Sequence, residues 1–252
     1  MKKIVEVNDL SFKYDRDFIL QDINLVIEQG DFMAFLGPNG SGKSTLIQLL
    51  LGSLKPTSGE VKVFGVAVEH FTDWGRIGYI SQQVKNFNQS FPATVKELIT
   101  AKLYQQMGFL KLSNSRLQPR IERALALVDM LDYQDRQLGS LSGGQQQRVF
   151  IARTMVSEPE VIFLDEPMVG VDSRAQDDFF QLVNRLNNEL GITVVMISHD
   201  IHVVSSQANR VVCLVDRRLY HHQGDEFDYS CYLEGVRGKN RLVPEHLHQV
   251  VD

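Results

Sequence analysis

Gly37-Pro38-Asn39-Gly40-Ser41-Gly42-Lys43-Ser44, with Thr45 behind it, is a run of residues suited to holding an anion. The glycines let a short loop turn until successive backbone N–H groups face one centre, and Lys43 adds a full positive charge. A helix beginning at this point would add the positive end of its dipole. The spacing G-x-x-x-x-G-K-[ST] is that of the cradle for nucleotide phosphates, in which the hydroxyl of Ser44 ligates Mg2+. Further along, Val161-Ile162-Phe163-Leu164 reads as a buried strand that ends on two carboxylates, Asp165 and Glu166. Side chains alternate along a strand, so the two point different ways and serve different purposes. Asp165 suits the metal, directly or through water, and Glu166 suits the polarisation of a water that attacks the γ-phosphate of ATP. A third group, Leu141-Ser142-Gly143-Gly144-Gln145, is a second anion site: Ser142 caps a helix running through Arg148 to Met155, and two glycines leave N–H groups open. Ser142 and Gln145 also stand at capping-box spacing.

The elements around these groups decide whether the motifs can work. Phe32–Leu36 is a continuous apolar run, a buried strand, and Ser44–Leu54 is apolar enough for a packed helix, so the loop lies between strand and helix as the chemistry requires. Residues 1–30 alternate as short strands, with Ile4–Val7 and Ile23–Ile27 the clearest and Gln29-Gly30 marking a turn. From about Asn86 to Leu138 the apolar residues recur at helical spacing, in Val95–Met107 and again in Ile121–Leu131; Thr94 and Glu97 form a capping box at the first of these. Val161–Leu164, a helix over Ser173–Leu190 closed by Gly191, and Thr193–Ile197 follow as strand, helix and strand, the order of parallel pairing. The class is α/β: a phosphate-loop core with a mainly parallel sheet, an antiparallel β subdomain at the N-terminus and a helical insertion.

Composition narrows the function classes. A chain of 252 residues with 43% hydrophobic and 23% charged content buries a core, and its longest apolar runs are strand-sized, too short to cross a bilayer. No apolar signal region follows Met1-Lys2-Lys3. Cys213 and Cys231 show neither disulfide-framework nor zinc spacing, and a net charge of −5 gives no broad attraction to nucleic acid, which is not an expected partner.

Leu141–Gln145, taken with the phosphate loop and the Asp165-Glu166 strand, resembles the signature of the ATP-binding-cassette ATPases, and the resemblance covers about residues 1–215, with a helical subdomain at about 86–150 and an extension at 216–252. It implies further roles. Tyr14 corresponds to the aromatic residue on which adenine stacks. Gln82 corresponds to the glutamine linking Mg2+ and the attacking water to the helical insertion, and Ser81 replaces the proline usual before it. Gly170-Val171-Asp172 resembles a loop that acts across a dimer, with Met168 and Val171 in place of the usual threonine and leucine. His199 corresponds to the histidine that contacts the γ-phosphate. In this family two cassettes stack head-to-tail, so that Ser142, Gly143, Gly144 and Gln145 of one close the ATP site of the other, a twofold arrangement.

The resemblance also implies separate integral membrane permease subunits, with this chain lying on the cytoplasmic face of the cell membrane and docking them beside the Gln82 loop. Phe87-Asn88-Gln89-Ser90-Phe91-Pro92, with Ala93-Thr94-Val95, resembles a run in cassettes that serve zinc or manganese importers, which draw on a metal-capturing solute-binding protein. An exporter cassette is the nearer alternative. Non-transport cassettes acting on chromosomes or ribosomes are further away: about a hundred residues, without sustained heptads, separate phosphate loop and signature, and the chain carries one cassette. His221-His222 and His246-Leu247-His248 lie past residue 215 at no diagnostic metal spacing, and this stretch reads as a solvated tail.

Overall fold

Where apolar residues are continuous the strands are buried on both faces, and where they alternate one face is left to solvent. The computed structural model describes residues 2–81, 92–107, 114–168, 171–198 and 207–223. They fall into two units, Met1–Thr72 with Thr193–Asp252, and Asp73–Ile192.

In the first unit β1 (Lys3–Tyr14) and β2 (Asp17–Glu28) form an antiparallel hairpin. Together with β4 (Ser58–Val63) and β5 (Val66–Ala67) they make a four-stranded antiparallel sheet in the order β2-β1-β4-β5, the expected β subdomain. Ile4, Val5, Val7 and Leu10 on β1, and Ile23, Leu25 and Ile27 on β2, are buried. The buried strand β3 (Phe32–Leu36) runs parallel to β8 (Thr193–Ile197) on one side and to β9 (Arg210–Val215) on the other. Every residue of β3 and β8 is buried, as suits strands covered on both faces. The helix α1 (Lys43–Leu50) follows the loop after β3. It stops short of the expected Leu54, because Leu51 caps it and Gly52 takes a left-handed conformation at φ 66°.

The stretch after residue 215 is not a solvated tail at its start. β10 (Arg218–Gln223) pairs antiparallel with β9. The two residues between them, Asp216 and Arg217, both have positive φ, which gives the turn the hand that two-residue hairpins favour. His221 sits on this strand with Nε2 3.1 Å from the Asn24 carbonyl, a contact in which the ring N–H donates. His246 and His248 lie outside the described residues.

In the second unit β6 (Ile77–Ile80) runs parallel to β7 (Val161–Asp165), pairing Tyr79 with Phe163. The helical part contains α2 (Val95–Met107) and α3 (Asn114–Leu127), which pack on each other and on α4 (Gly143–Met155); α5 (Ser173–Asn188) packs on α4. The capping box ahead of α2 forms as expected: Thr94 N donates to Glu97 Oε2 at 2.8 Å, and Glu97 N donates to Thr94 Oγ1 at 3.2 Å. α3 starts and ends earlier than its apolar periodicity suggests. Pro119 lies inside the helix, while Asp129, at φ 57°, leaves Leu131 to a separate short turn.

Burial drives the His221 imidazole below its ordinary pKa, against the raising effect of its bond to Asn24 and reinforced by nearby Arg210; His222 is lowered by burial and by His221. On acidification the unfolded chain therefore takes up protons before the folded one, and the stability these residues contribute is present above about pH 6.5 and lost below it. Thermal melts should show a fall in Tm on acidification through that range, with a shallower fall in a His221→Gln, His222→Gln double variant.

Candidate functional site

The phosphate loop hangs between β3 and α1. Gly37 has φ 155°, and a Cβ there would lie 2.6 Å from the Leu214 carbonyl oxygen and 2.7 Å from Ser41 Oγ. Gly42, at φ 106°, is the N-cap of α1, and a Cβ there would meet Ile19 Cγ2 at 2.9 Å. Both positions require glycine. Inside the loop Ser41 N donates to the Pro38 carbonyl at 3.2 Å, and Leu46 N closes the first helical turn on the Gly42 carbonyl at 2.8 Å. Lys43 is 6% exposed, and its Nζ donates to the carbonyls of Gly37 at 2.8 Å and Pro38 at 3.0 Å. Ser41 Oγ is buried and has no hydrogen-bond partner among the described residues. Asn39, Gly40 and Ser44 are exposed, and Thr45 is half-buried on α1. A buried ammonium over a concave run of amides, beside an unsatisfied hydroxyl, is an anion site whose lysine rests on its own loop. Tyr14, at the end of β1, is half exposed and stands edge-on to Phe12 at 4.9 Å.

In the second unit β7 delivers Asp165 buried, at 6% exposure, while Glu166 is half-buried with φ 49°. That left-handed conformation, uncommon for a residue with a side chain, turns the chain directly after the strand and separates the two carboxylates. The hydroxyl of Tyr79 on β6 reaches Asp165 Oδ2 at 3.5 Å, a long contact, and the Tyr79 pKa is pushed up to about 12 by burial first and by the neighbouring Asp165 second. Sequence reasoning did not find this tyrosine. The signal is the pairing of Tyr79 with Phe163, since Phe163 and Asp165 are two apart and share a face of β7. Hard oxygen donors of the type offered by Asp165 and Ser44 fit Mg2+ rather than a softer metal.

The signature folds as a capped helix start. Gln145 N donates to Ser142 Oγ at 3.3 Å, and Ser142 N donates to Gln145 Oε1 at 3.0 Å. A Cβ at Gly143 would meet nothing within 4 Å among the described residues, whereas one at Gly144 would stand 3.1 Å from the Ala175 Cβ on α5. Asp172 is the N-cap of α5, accepting from Ala175 N at 3.0 Å. Gln82, Gly170 and His199 lie outside the described residues.

Residues 20–169 match the family described as ABC transporter. The zinc uptake system ATP-binding protein ZurA of Listeria monocytogenes is 43% identical over 92% of this chain and 90% of its own length. The chain belongs to the ABC transporter family. Its fold is shared by the cbiO1 cassette of Clostridium perfringens, part of the cbiONQ transporter complex, at a TM-score of 0.81 and 29% identity over 94% of this chain and 96% of that one. It is shared as well by the dimeric cassette MJ0796, solved in a post-hydrolysis state with ADP and Pi, at 0.74 and 28% over 89% of this chain and 100% of that one. The cassette is thus a nucleotide-binding ATPase, the energy-converting subunit of a transporter. Among the described residues no helix is long and apolar enough to cross a membrane.

The loop geometry makes Gly37→Ala a test of the cradle. The added methyl has backbone on one side, so the variant should lose about 1–3 kcal/mol in urea unfolding and bind ATP more weakly in equilibrium titration.

Proposed function

We propose that this cassette drives the uptake of a divalent metal ion, zinc foremost, through separate permease subunits, from a peripheral position on the cytoplasmic face of the membrane. The observation carrying this reading is the 43% identity, over nearly the full length of both chains, to a protein named for zinc uptake. The cargo would be captured by a solute-binding protein and moved by the permease; manganese is the second ion to try.

In the hydrolytic step Lys43 and the loop amides of residues 37–45 hold the β- and γ-phosphates. Tyr14 stacks on adenine. Ser44 and Asp165, with Gln82, would hold Mg2+, which offsets the negative charge of the phosphates when bound. Glu166 accepts a hydrogen bond from the attacking water and withdraws its proton, and His199 donates to the γ-phosphate oxygens. Ser142, Gly143, Gly144 and Gln145 of a second copy offer their hydroxyl and N–H groups to the same phosphates, and Asp172 lies at the dimer contact. The capped, glycine-opened start of α4 supports the assignment of the signature, since it leaves helix N–H groups for an anion.

Glu166→Gln should keep ATP binding, lower kcat by about 10²–10⁴-fold and accumulate an ATP-bound dimer on gel filtration. Wild-type turnover in that variant would refute the assignment. Lys43→Ala should instead raise the Kd for ATP by on the order of tenfold or more, because the cation facing the phosphates is gone. For the cargo, the cassette reconstituted in vesicles with the permease purified alongside it should show ATP-dependent movement of zinc from the capture side to the side on which the cassette lies. Transport in the reverse direction, or of neither zinc nor manganese, would overturn the uptake reading.

A further inference from the structure

Two arginines from two other helices of the second unit hold the carboxyl end of α3. Arg148, on α4, donates through Nη1 to the Val128 carbonyl and to Asp129 Oδ2, both at 3.2 Å, and its Nη2 lies 3.7 Å from Asp178 Oδ2 on α5. Arg185, on α5, donates to the Leu127 carbonyl and lies 3.8 Å from the same Asp129 carboxylate. The last carbonyls of a helix lack partners within it and carry the negative end of its dipole, so they attract cations. A guanidinium is a planar fork of donors and can serve several acceptors at once, which an ammonium does with less geometric control.

The exposures show what this cluster does. The Arg148 side chain is 22% exposed, while Asp129 and Asp178 are 64% and 52% exposed. Exposed ion pairs contribute little stability singly. The value of Arg148 is geometric: one mostly buried guanidinium bridges the end of α3 to α5 from its place on α4. The second tie is steric, since Gly144 and Ala175 bring the first turns of α4 and α5 as close as a missing side chain allows. The starts of these two helices, capped by Ser142 and Asp172, are therefore held together at their first turns and again one turn further on.

We propose that Arg148 is a positioning residue for ATP hydrolysis, locking α4 to α5 and to the end of α3 so that Ser142 and Asp172 meet a second copy of the chain as one edge. This rests on the reading above that a second copy completes the ATP site. Arg148 touches no nucleotide in this scheme, and its loss leaves the Lys43 cradle intact.

The test is specific ATPase activity of the full chain against protein concentration, with ATP affinity measured separately. Arg148→Ala should raise the protein concentration of half-maximal activity by on the order of tenfold, with Kd for ATP and the plateau kcat within about twofold of wild type. Asp178→Asn, which spares the contacts of Arg148 to α3, should shift it less but in the same direction, and Arg148→Lys should not restore it. A merely stabilising arginine would behave differently: its loss would lower Tm and, at a temperature where circular dichroism shows wild type and variant both fully folded, leave the half-maximal concentration unchanged, and that result overturns the proposal. If Arg148→Ala does not fold, Asp178→Asn decides, and an unshifted curve in that variant overturns the proposal equally. Wild-type activity independent of protein concentration would instead remove the dimer reading beneath it, an outcome visible before any variant is made.

Discussion

The structure is organised around a positive charge brought out of water. Lys43 carries an ammonium into a loop where little of it is exposed, and an ion so placed must be matched by nearby negative or partly negative oxygen. The Gly37 and Pro38 carbonyls provide that match in the free chain. They can do so because Gly37 fits against the Leu214 carbonyl, because β3 and β9 are paired in register beside it, and because α1 starts at Lys43 with no side chain on its cap. A phosphate oxygen carries more negative charge than a carbonyl oxygen, so an anion seated in the loop would compete with these carbonyls for the ammonium.

The second unit meets a complementary demand, the presentation of acceptors and donors at the ends of rigid elements. β7 fixes Asp165 by burying all five of its residues, and the left-handed turn at Glu166 then changes the direction of the next carboxylate. α4 and α5 each begin with a side-chain cap, which leaves their remaining free N–H groups as the positive ends of two helices. An ATPase needs such preorganised groups because they lose little freedom when charge develops in the transition state.

What was legible in the sequence followed from local chemistry. The phosphate loop, both capping boxes and the continuously apolar strands depend on residues within a few positions of each other, and the structure reproduces them. α3 starts ahead of the apolar recurrence at Ile121 because its first residues, from Asn114, are polar apart from Leu117, which is buried. β10 is not legible in His221 and His222 alone, which read as tail residues; it takes the Asp216-Arg217 turn and the partner strand β9 to make them part of a sheet. Tyr79 and Arg148 were invisible for the same reason, since their contacts depend on strand register and helix packing across long sequence separations.

The two adjacent glycines of the signature differ in what keeps them small. Gly144 is crowded by its own chain, where an added Cβ would stand 3.1 Å from that of Ala175 and press it aside by a few tenths of an ångström. Gly143 meets no such wall among the described residues. Packing among the described residues therefore accounts for the small size of one glycine of the pair and places no demand on the other.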